Sequence, residues 1–401
     1  MTTLRPAQTV ELAIEKAAAG GRMIARHEGQ VVLVGGALPG ERVVARLERV
    51  DRRLAFAATV DILERSPDRR DGLDDPLCGG CVYSHISYAR QLVLKADIIR
   101  DSFLRIGRIP LDSSIDIVPS PEHGYRMRAR FHVDRGRVGF YREGTHALCD
   151  ARPTKQVTDA ALDAVEEMAS ALERDGVHPT SIELTENIPG DRRALLAWDE
   201  EGRRASAGDT AVADSLETLS GGRVAGAELL RHPDSFFQAN RFLVPALVNA
   251  VLDVVQEGEK RILDLYAGVG LFALSLAAAG IGHVTAVEGD RSSGADLEAN
   301  ARLLGSAVTV ARASVEDHLA RRQPTPSAVV LDPPRTGISP DAIAGLVRLR
   351  APRVVYVSCD PATMARDARR LLDAGYRLEA LRGFDLFPNT AHVEALGVFT
   401  L

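Results

Sequence analysis

The chain has 401 residues, of which 45% are hydrophobic and 26% charged, and a formal net charge of −6. This composition is typical of a globular protein, and the length predicts two or three domains. Neither a long apolar run nor a basic start followed by an apolar segment is present, so we expect no membrane span and no secretory signal. With only four cysteines, we predict a cytoplasmic protein whose thiols are catalytic or metal-bound rather than disulfide-paired.

Short apolar runs separated by turns dominate residues 1–65. The segment QVVLVGGALPGERVVARL joins two such runs through Gly-Gly and Pro-Gly pairs, which is typical of a hairpin-rich small barrel. A cluster of prolines and charges follows, and then SYARQLVLKADIIRDSFLRIG, in which apolar residues recur at helical spacing. We therefore predict a barrel and a connecting helix before a second group of strands.

Arginines alternate with other residues in GYRMRARFHVDRGRVGFYR. Arg126, Arg128 and Arg130 would share one face of a strand, because side chains alternate across a strand. Aromatic residues occur in the same segment, and arginines beside aromatic rings suit phosphate contact and base stacking with RNA. A solvated sheet face is the alternative interpretation of this pattern.

From about Arg231 to the end, short apolar strands alternate with helical segments. The predicted strands are RILDLYAG, HVTAVEG, SAVVLDPP and RVVYVSC, and the predicted helices FALSLAAAG and ARRLLDAG end in glycine. This alternation predicts the α/β class with a parallel, doubly wound, Rossmann-like sheet.

A glycine turn in LDLYAGVGLFAL follows the first of these strands. Gly268 and Gly270 let backbone approach a ligand at a helix N-terminus, and Glu288 ends the next strand, where a carboxylate can accept both ribose hydroxyls. The same pattern fits an NAD-dependent oxidoreductase or a purely structural turn. Asp264 at the start of the motif favours S-adenosylmethionine over a dinucleotide.

A carboxylate and a thiol end two further strands. Ligands of open α/β sheets gather beyond the carboxyl ends of strands, where Asp332 and Cys359 are expected. Pro361 suits the first turn of a helix, so Cys359 would lie near a helix N-terminus, where the helix dipole favours the thiolate. The alternative is a buried cysteine that serves only packing.

In this region the sequence resembles the RNA 5-methyluridine (uracil-5-) methyltransferases that act on tRNA and ribosomal RNA. The segments that carry the resemblance, in the family's order, are SFFQAN, LDLYAGVG, VEGD, LDPPRTG, VSCDPATMARD and FPNTAHVE. Nearer the N-terminus, GGRMIARHEGQVVLVGGALPGERV resembles the TRAM domain, a small RNA-binding barrel, and CGGCVYSH resembles the family's cysteine-cluster segment.

The resemblance implies roles for individual residues. Cys359 would be the nucleophile that adds to carbon 6 of uracil, and Glu394 the base that removes the proton from carbon 5. The positions that match contacts to S-adenosylmethionine or the uracil edge are Gln238, Tyr266, Gly268, Gly270, Glu288 and Asp332. The target uridine must be flipped out or unpaired, because a stacked base is inaccessible.

The expected division is a TRAM-like, OB-type barrel at 1–65, a β-rich RNA-binding domain at 66–230 and a methyltransferase domain at 231–401, in a monomer. A second enzyme hypothesis, an NAD-dependent oxidoreductase, has no use for Cys359. A third hypothesis, an RNA-binding or chaperone-like protein that retains the fold, has no use for Cys359 and Glu394.

The resemblance also implies a [4Fe–4S] cluster, for which this chain has an incomplete set of ligands. Cys78, Cys81 and Cys149 match three of the family's four cysteines, but Gly72 occupies the region of the first. The remaining ligand could come from Asp71, Asp74 or Asp75, and His85 could instead complete a zinc site. A site that holds no metal is the other alternative.

Overall fold

A closed five-stranded barrel forms the N-terminal part of the computed structural model, which describes residues 4–73, 75–111, 114–255 and 261–401. Its strands are β1 (Thr9–Ala17), β2 (Met23–His27), β3 (Gln30–Gly35), β4 (Arg42–Val50) and β5 (Leu54–Glu64), closed in the order β1-β2-β3-β5-β4. In β1, buried Val10, Leu12 and Ile14 alternate with exposed residues, so one face fills the barrel. The predicted small barrel is therefore confirmed.

A long helix connects the barrel to the rest of the chain. Helix α1 (Tyr88–Ser102) lies where the apolar spacing predicts a helix, and it continues into a π-helical turn at Phe103–Gly107. Strand β6 (Ile117–Val118) follows and pairs with the edge of the C-terminal sheet. A short segment from the middle of the chain thus completes a sheet that is otherwise built from residues beyond 260.

A six-stranded antiparallel sheet with the order β12-β11-β10-β7-β8-β9 occupies the centre of the chain. Its strands are β7 (Arg128–Asp134), β8 (Arg137–Tyr141), β9 (Leu148–Asp150), β10 (Pro179–Glu186), β11 (Arg193–Asp199) and β12 (Arg204–Gly208). Helix α2 (Asp159–Arg174) covers one face, where Val165 and Met168 join Ile182 and Leu184 in a common core. A small unit of β13 (Val212–Ser215), α3 (Leu216–Leu219) and β14 (Glu228–Arg231) follows.

The C-terminal sheet has eight strands in the order β17-β16-β15-β18-β19-β21-β20-β6. Its own strands are β15 (Arg261–Leu265), β16 (His283–Glu288), β17 (Val308–Arg312), β18 (Ala328–Leu331), β19 (Arg353–Ser358), β20 (Arg377–Phe384) and β21 (Glu394–Thr400). The surrounding helices are α4 (Val244–Val254), α5 (Leu271–Ala278), α6 (Arg291–Ala301), α7 (Val315–Ala320), α8 (Pro340–Leu349) and α9 (Pro361–Asp373). No helix in the described part of the chain is long and apolar enough to cross a membrane.

The prediction of a parallel sheet was wrong in one respect, because the observed sheet also contains antiparallel pairs. Strands β15 to β19 pair in parallel, as the alternation of strands and helices predicts, but β21 runs antiparallel to both β19 and β20. Residues 385–393 connect β20 to β21 without a helix, and such a short connection returns the chain antiparallel. This reversal inserts the beginning of β21 beside the end of β19.

Candidate active site

The glycine turn after β15 forms one wall of a cavity. Tyr266, Gly268 and Gly270 all adopt left-handed backbone conformations, with φ of 60°, 57° and 102°. A Cβ on Gly270 would come within 2.3 Å of Leu274, so only glycine fits beneath the helix, whereas the space around Gly268 is open. The turn therefore places exposed backbone next to free volume at the N-terminus of α5.

Glu288, at the end of β16, is held against this turn. Its Oε2 accepts a hydrogen bond of 2.8 Å from the Gly268 N–H, and its Oε1 accepts one of 2.6 Å from the Asp290 N–H. The side chain is partly exposed and lines the cavity, and carboxylate oxygens have lone pairs beyond those used by these two N–H groups. A carboxylate at this position can accept hydroxyl groups from a ligand.

Three neighbouring strands bring the remaining reactive groups together. Asp332 follows β18, and Cys359 follows β19. Ser358 of β19 pairs with Ala395 of β21, so Cys359 lies one register step further, level with Glu394. The sequence predicted the first two neighbours; the antiparallel insertion of β21 adds the third.

Asp332 and Glu394 form a pair of interacting carboxyl groups. Burial raises the pKa of Asp332 to about 7, while a 2.9 Å hydrogen bond from the Gln238 amide opposes that rise. Burial, and then the charge of Asp332, raises the pKa of Glu394 well above its ordinary value, and the Arg335 guanidinium opposes this shift. Glu394 Oε1 is buried without a hydrogen-bond partner, so this oxygen can serve a bound molecule.

The Cys359 thiol is half-buried beside these carboxyl groups. Burial, followed by the charges of Glu394 and Asp332, raises its pKa to about 12, and Arg335 opposes the rise. We expected the helix dipole to favour the thiolate, but Asp360 Oδ1 accepts the N–H groups of Ala362 and Thr363 and so occupies the helix N-terminus. Arg335 is therefore the cation that acts on this thiol.

All of these groups line a single cavity of about 700 Å³. Among the predicted residues, Gln238, Tyr266, Gly268, Glu288, Asp332, Cys359 and Glu394 line it, whereas Gly270 packs beneath the turn. Arg335, Phe236 and Phe387 also line it and were not singled out from the sequence, although Arg335 belongs to the quoted LDPPRTG segment.

The three predicted RNA-contacting arginines occupy different environments. Arg126 precedes β7 and lines the cavity, with its guanidinium 5.5 Å from the Phe387 ring centroid. Arg128 lies at the cavity wall, and Arg130 is exposed on the open face of the sheet. Both form ion pairs with Glu183, at 3.1 and 3.6 Å. The three alternating arginines therefore form a row that extends from the cavity, at Arg126, to the exposed face of the sheet, at Arg130.

The described residues of the cysteine-cluster segment do not provide the donor set of an iron–sulfur or zinc site. Cys78 and Cys149 form a disulfide, which corrects the prediction that the cysteines would not pair. Burial raises the pKa of the remaining thiol, Cys81, to about 12, and thiolates are the ligands that such clusters require. We find no group of three or more metal-binding side chains within the described ranges.

Three of the side chains considered as the missing ligand, His85, Asp75 and Asp71, have other partners in the structure. A Cβ at Gly72 would lie 2.9 Å from His85. His85 itself contacts the Ala37 carbonyl through Nε2, at 3.1 Å. Asp75 pairs with Arg142 and Asp71 with Arg65, while Asp74 lies outside the described residues.

The chain is similar to known families and to a solved structure. The tRNA (uracil-5-)-methyltransferase family profile matches residues 321–400, and the TRAM domain profile matches residues 5–60. A Pyrococcus abyssi tRNA (uracil-54, C5)-methyltransferase, solved with S-adenosyl-L-homocysteine, has the same fold. The TM-score is 0.76 and the identity 23%, over 97% of this chain and 99% of that one.

Curated relatives match over nearly their whole length. The 23S rRNA (uracil(1939)-C(5))-methyltransferase RlmD of Methylococcus capsulatus is 31% identical, over 98% of this chain and 97% of its own. The RlmD protein of Pseudomonas entomophila is 33% identical, over 97% of this chain and 93% of its own. Identity at this level over nearly the whole of both sequences shows common membership, and the chain therefore belongs to the RNA (uracil-5-)-methyltransferase family.

Proposed function

We propose that this protein forms 5-methyluridine in RNA from S-adenosylmethionine, with Cys359 as nucleophile and Glu394 as base. The observation that carries the proposal is one cavity in which a half-buried thiol lies beside a buried carboxyl with an unpartnered oxygen. The family membership supports the reaction, and the cavity supports these roles for the two side chains.

The glycine turn supports binding of the adenosyl group. The open space beside Gly268 is a cradle that any Cβ would fill, and Glu288 can accept the ribose hydroxyls next to it. Gln238, Tyr266 and Asp332 line the same cavity as this cradle and Cys359. When bound, S-adenosylmethionine supplies an electrophilic methyl group.

Cys359 activates the uracil ring in this proposal. Its thiolate forms a bond to carbon 6, and the electrons of the C5–C6 double bond pass to the C4 carbonyl as an enolate with an electron-rich carbon 5. Carbon 5 then forms a bond to the methyl carbon as the methyl–sulfur bond breaks, and the electron pair of that bond stays on the sulfur of the S-adenosylhomocysteine that leaves. Arg335 assists this step because it stabilises the ionised thiol and opposes the raised pKa of Cys359.

Glu394 completes the reaction by taking the proton from carbon 5. The electrons of the C–H bond restore the C5–C6 double bond, the C6–S bond breaks, and the Cys359 thiolate leaves. A carboxylate with a raised pKa is a stronger base than an exposed one, which suits removal of a carbon-bound proton.

We further propose that the substrate is a uridine of 23S ribosomal RNA. The two RlmD relatives described above, at 31% and 33% identity, carry that activity in their names, whereas the structural neighbour named for tRNA is 23% identical. In this arrangement residues 1–65 and 66–230 hold the RNA, and residues 231–401 carry the reaction.

The test uses purified protein, labelled S-adenosylmethionine, and unmodified transcripts of 23S rRNA and tRNA. Wild-type protein should label the 23S transcript at carbon 5 of a uridine. Cys359→Ala should transfer no methyl group. Glu394→Gln keeps the nucleophile but lacks the base, so a labelled protein–RNA adduct should accumulate on a denaturing gel.

The double variant, Cys359→Ala with Glu394→Gln, is the matched control and should lose the adduct. Normal turnover by Glu394→Gln, or an adduct that survives in Cys359→Ala, would contradict the assigned roles. Labelling of tRNA in preference to the 23S transcript would overturn the substrate proposal but not the roles of the two residues.

A further inference from the structure

The central sheet has one face that α2 does not cover, and this face carries arginine and aromatic side chains. Residues Arg128, Arg130 and His132 of β7 lie on it, with Tyr141 of β8, Trp198 of β11 and Arg204 of β12; we name this set the Trp198 face. The strand register aligns His132 with Ser181, Ser181 with Trp198, and Trp198 with Arg204, in one row across the sheet. Because side chains alternate, these residues point away from the core under α2.

Trp198 lies between two exposed arginines. The guanidinium of Arg130 is 5.3 Å from the indole centroid, and that of Arg204 is 5.5 Å away. The exposed side-chain fractions of the two arginines are 57% and 48%, so both cations face solvent. An indole beside two solvated cations is a surface on which a planar ring can stack while phosphates are neutralised.

A second aromatic pair extends the same face. His132 stacks on Tyr141 with ring centroids 3.5 Å apart and an angle of 12° between the planes. Burial, together with the charges of Arg130 and His146, lowers the pKa of His132, which favours the uncharged ring. The face therefore offers two ring systems separated by arginine.

The Trp198 face is continuous with the opening of the cavity that contains Cys359 and Glu394. Arg128 lines the cavity and its guanidinium lies 5.7 Å from the Phe236 ring, which is 59% exposed at the rim. Arg204 forms an ion pair with Asp234, another residue of the cavity rim. Within the Trp198 face, Arg128 and Arg130 pair with Glu183, which is buried, and Arg204 pairs with Asp234.

We propose that the Trp198 face binds the unpaired nucleotides next to the target uridine, with one base stacked on Trp198. This inference rests on the proposed function and extends it to the form of the RNA. The incoming base replaces an exposed guanidinium on the indole, and that arginine then contacts the phosphate. Double-stranded RNA does not fit, because its bases are stacked on each other and offer no free ring face.

Tryptophan fluorescence tests this proposal, because Trp198 is the one tryptophan of the chain. The full-length protein is titrated with oligouridylate of about 12 nucleotides, within the site size of such stacking surfaces, without S-adenosylmethionine. We expect saturable quenching of the emission, and no comparable quenching by an RNA duplex of the same length. Binding is measured separately by the anisotropy of end-labelled RNA.

Variants separate stacking from charge. Trp198→Leu should weaken binding of the single strand about tenfold, and Trp198→Phe should restore part of it, since a ring is again available. Arg204→Gln should lower the salt dependence of the association constant by about 0.7 in logarithmic slope. The control Arg377→Gln removes an exposed charge from β20 of the C-terminal sheet and should change neither quantity.

Single-stranded RNA that binds without quenching Trp198 would overturn the proposal, as would equal quenching by the duplex. Absence of RNA binding, with the variants folded as judged by thermal unfolding, would overturn it as well. The quenching should be unchanged in Cys359→Ala, so a failure of the proposed chemistry is distinguished from a failure of this surface.

Discussion

At the scale of single residues, the reactivity of Cys359 depends on opposing charges. Burial and two carboxyl groups disfavour the thiolate, and Arg335 alone among the named causes favours it. The pKa of the thiol is about 12, so at any pH below that value the thiolate fraction increases about tenfold for each unit by which the pH is raised. Methyl transfer should therefore increase with pH from neutral to alkaline conditions.

Replacement of Arg335 tests this balance. Arg335→Gln should raise the pKa of Cys359 further and slow alkylation of this thiol by iodoacetamide at pH about 8, by about tenfold for each unit of additional shift. Peptide mass mapping distinguishes alkylation of Cys359 from that of Cys81, the other free cysteine, which is buried and should react slowly. Arg369→Gln, which removes a charge from α9 where Arg369 pairs with Asp373, is the control and should alkylate normally. An unchanged pH profile in Arg335→Gln would contradict the assigned electrostatic role.

At the scale of elements, α1 holds the loop that leads to Glu394. Lys95 of α1 forms an ion pair with Asp385, both side chains being fully buried, and donates a 3.0 Å hydrogen bond to the Phe387 carbonyl. Gln91 exchanges two hydrogen bonds of 2.9 Å with Asn389. Glu394, the proposed base, thus follows a loop that is held by a helix almost 300 residues earlier in the chain.

Removing one partner of this buried pair should be costly. Lys95→Met leaves Asp385 buried without its cation and should lower the free energy of unfolding by about 3–5 kcal/mol in urea titrations. The double variant Lys95→Met with Asp385→Leu should recover most of that loss. Lys16→Met, which breaks an exposed pair with Asp101, is the control and should cost about 0–1 kcal/mol. Equal losses in the two single variants would show that burial of the pair is unimportant.

At the scale of the whole molecule, the Cys78–Cys149 disulfide joins the segment after the barrel to the edge of the central sheet. It connects residues separated by 71 positions, so it restricts a long loop in the unfolded chain. Chain-entropy arguments give about 4 kcal/mol for a loop of this length. Cys149→Ser should lower the free energy of unfolding by that order, and a thiol reductant should have the same effect on the wild type.

The control variant is Cys81→Ser, which leaves the disulfide in place. A thiol reductant should lower its free energy of unfolding by the same amount as that of the wild type. Peptide mapping without reduction should recover the linked Cys78 and Cys149 peptides. Protein purified without oxygen that carries about four irons per chain would contradict this arrangement, because an intact cluster needs these thiols as ligands.

The sequence predicted the features that depend on local chain geometry. The strands around residues 261–288, the glycine turn and the strand ends at Asp332 and Cys359 follow from apolar runs bounded by glycine, proline and charge. Parallel strands bring their carboxyl ends to one edge, so the proximity of Asp332 and Cys359 could be inferred without coordinates. The small barrel likewise follows from its turns.

The remaining features were decided by contacts between distant parts of the chain. The antiparallel insertion of β21, the disulfide between two of the cysteines considered as metal ligands, and the arginines around Trp198 each join residues that no local pattern relates. Their partners lie on other strands, and which strands pair depends on how whole faces pack. The sequence by itself therefore determined the fold class and the order of the reactive residues. Only the tertiary structure determined the charges that act on them, because a pKa depends on burial and on neighbours from every element around the site.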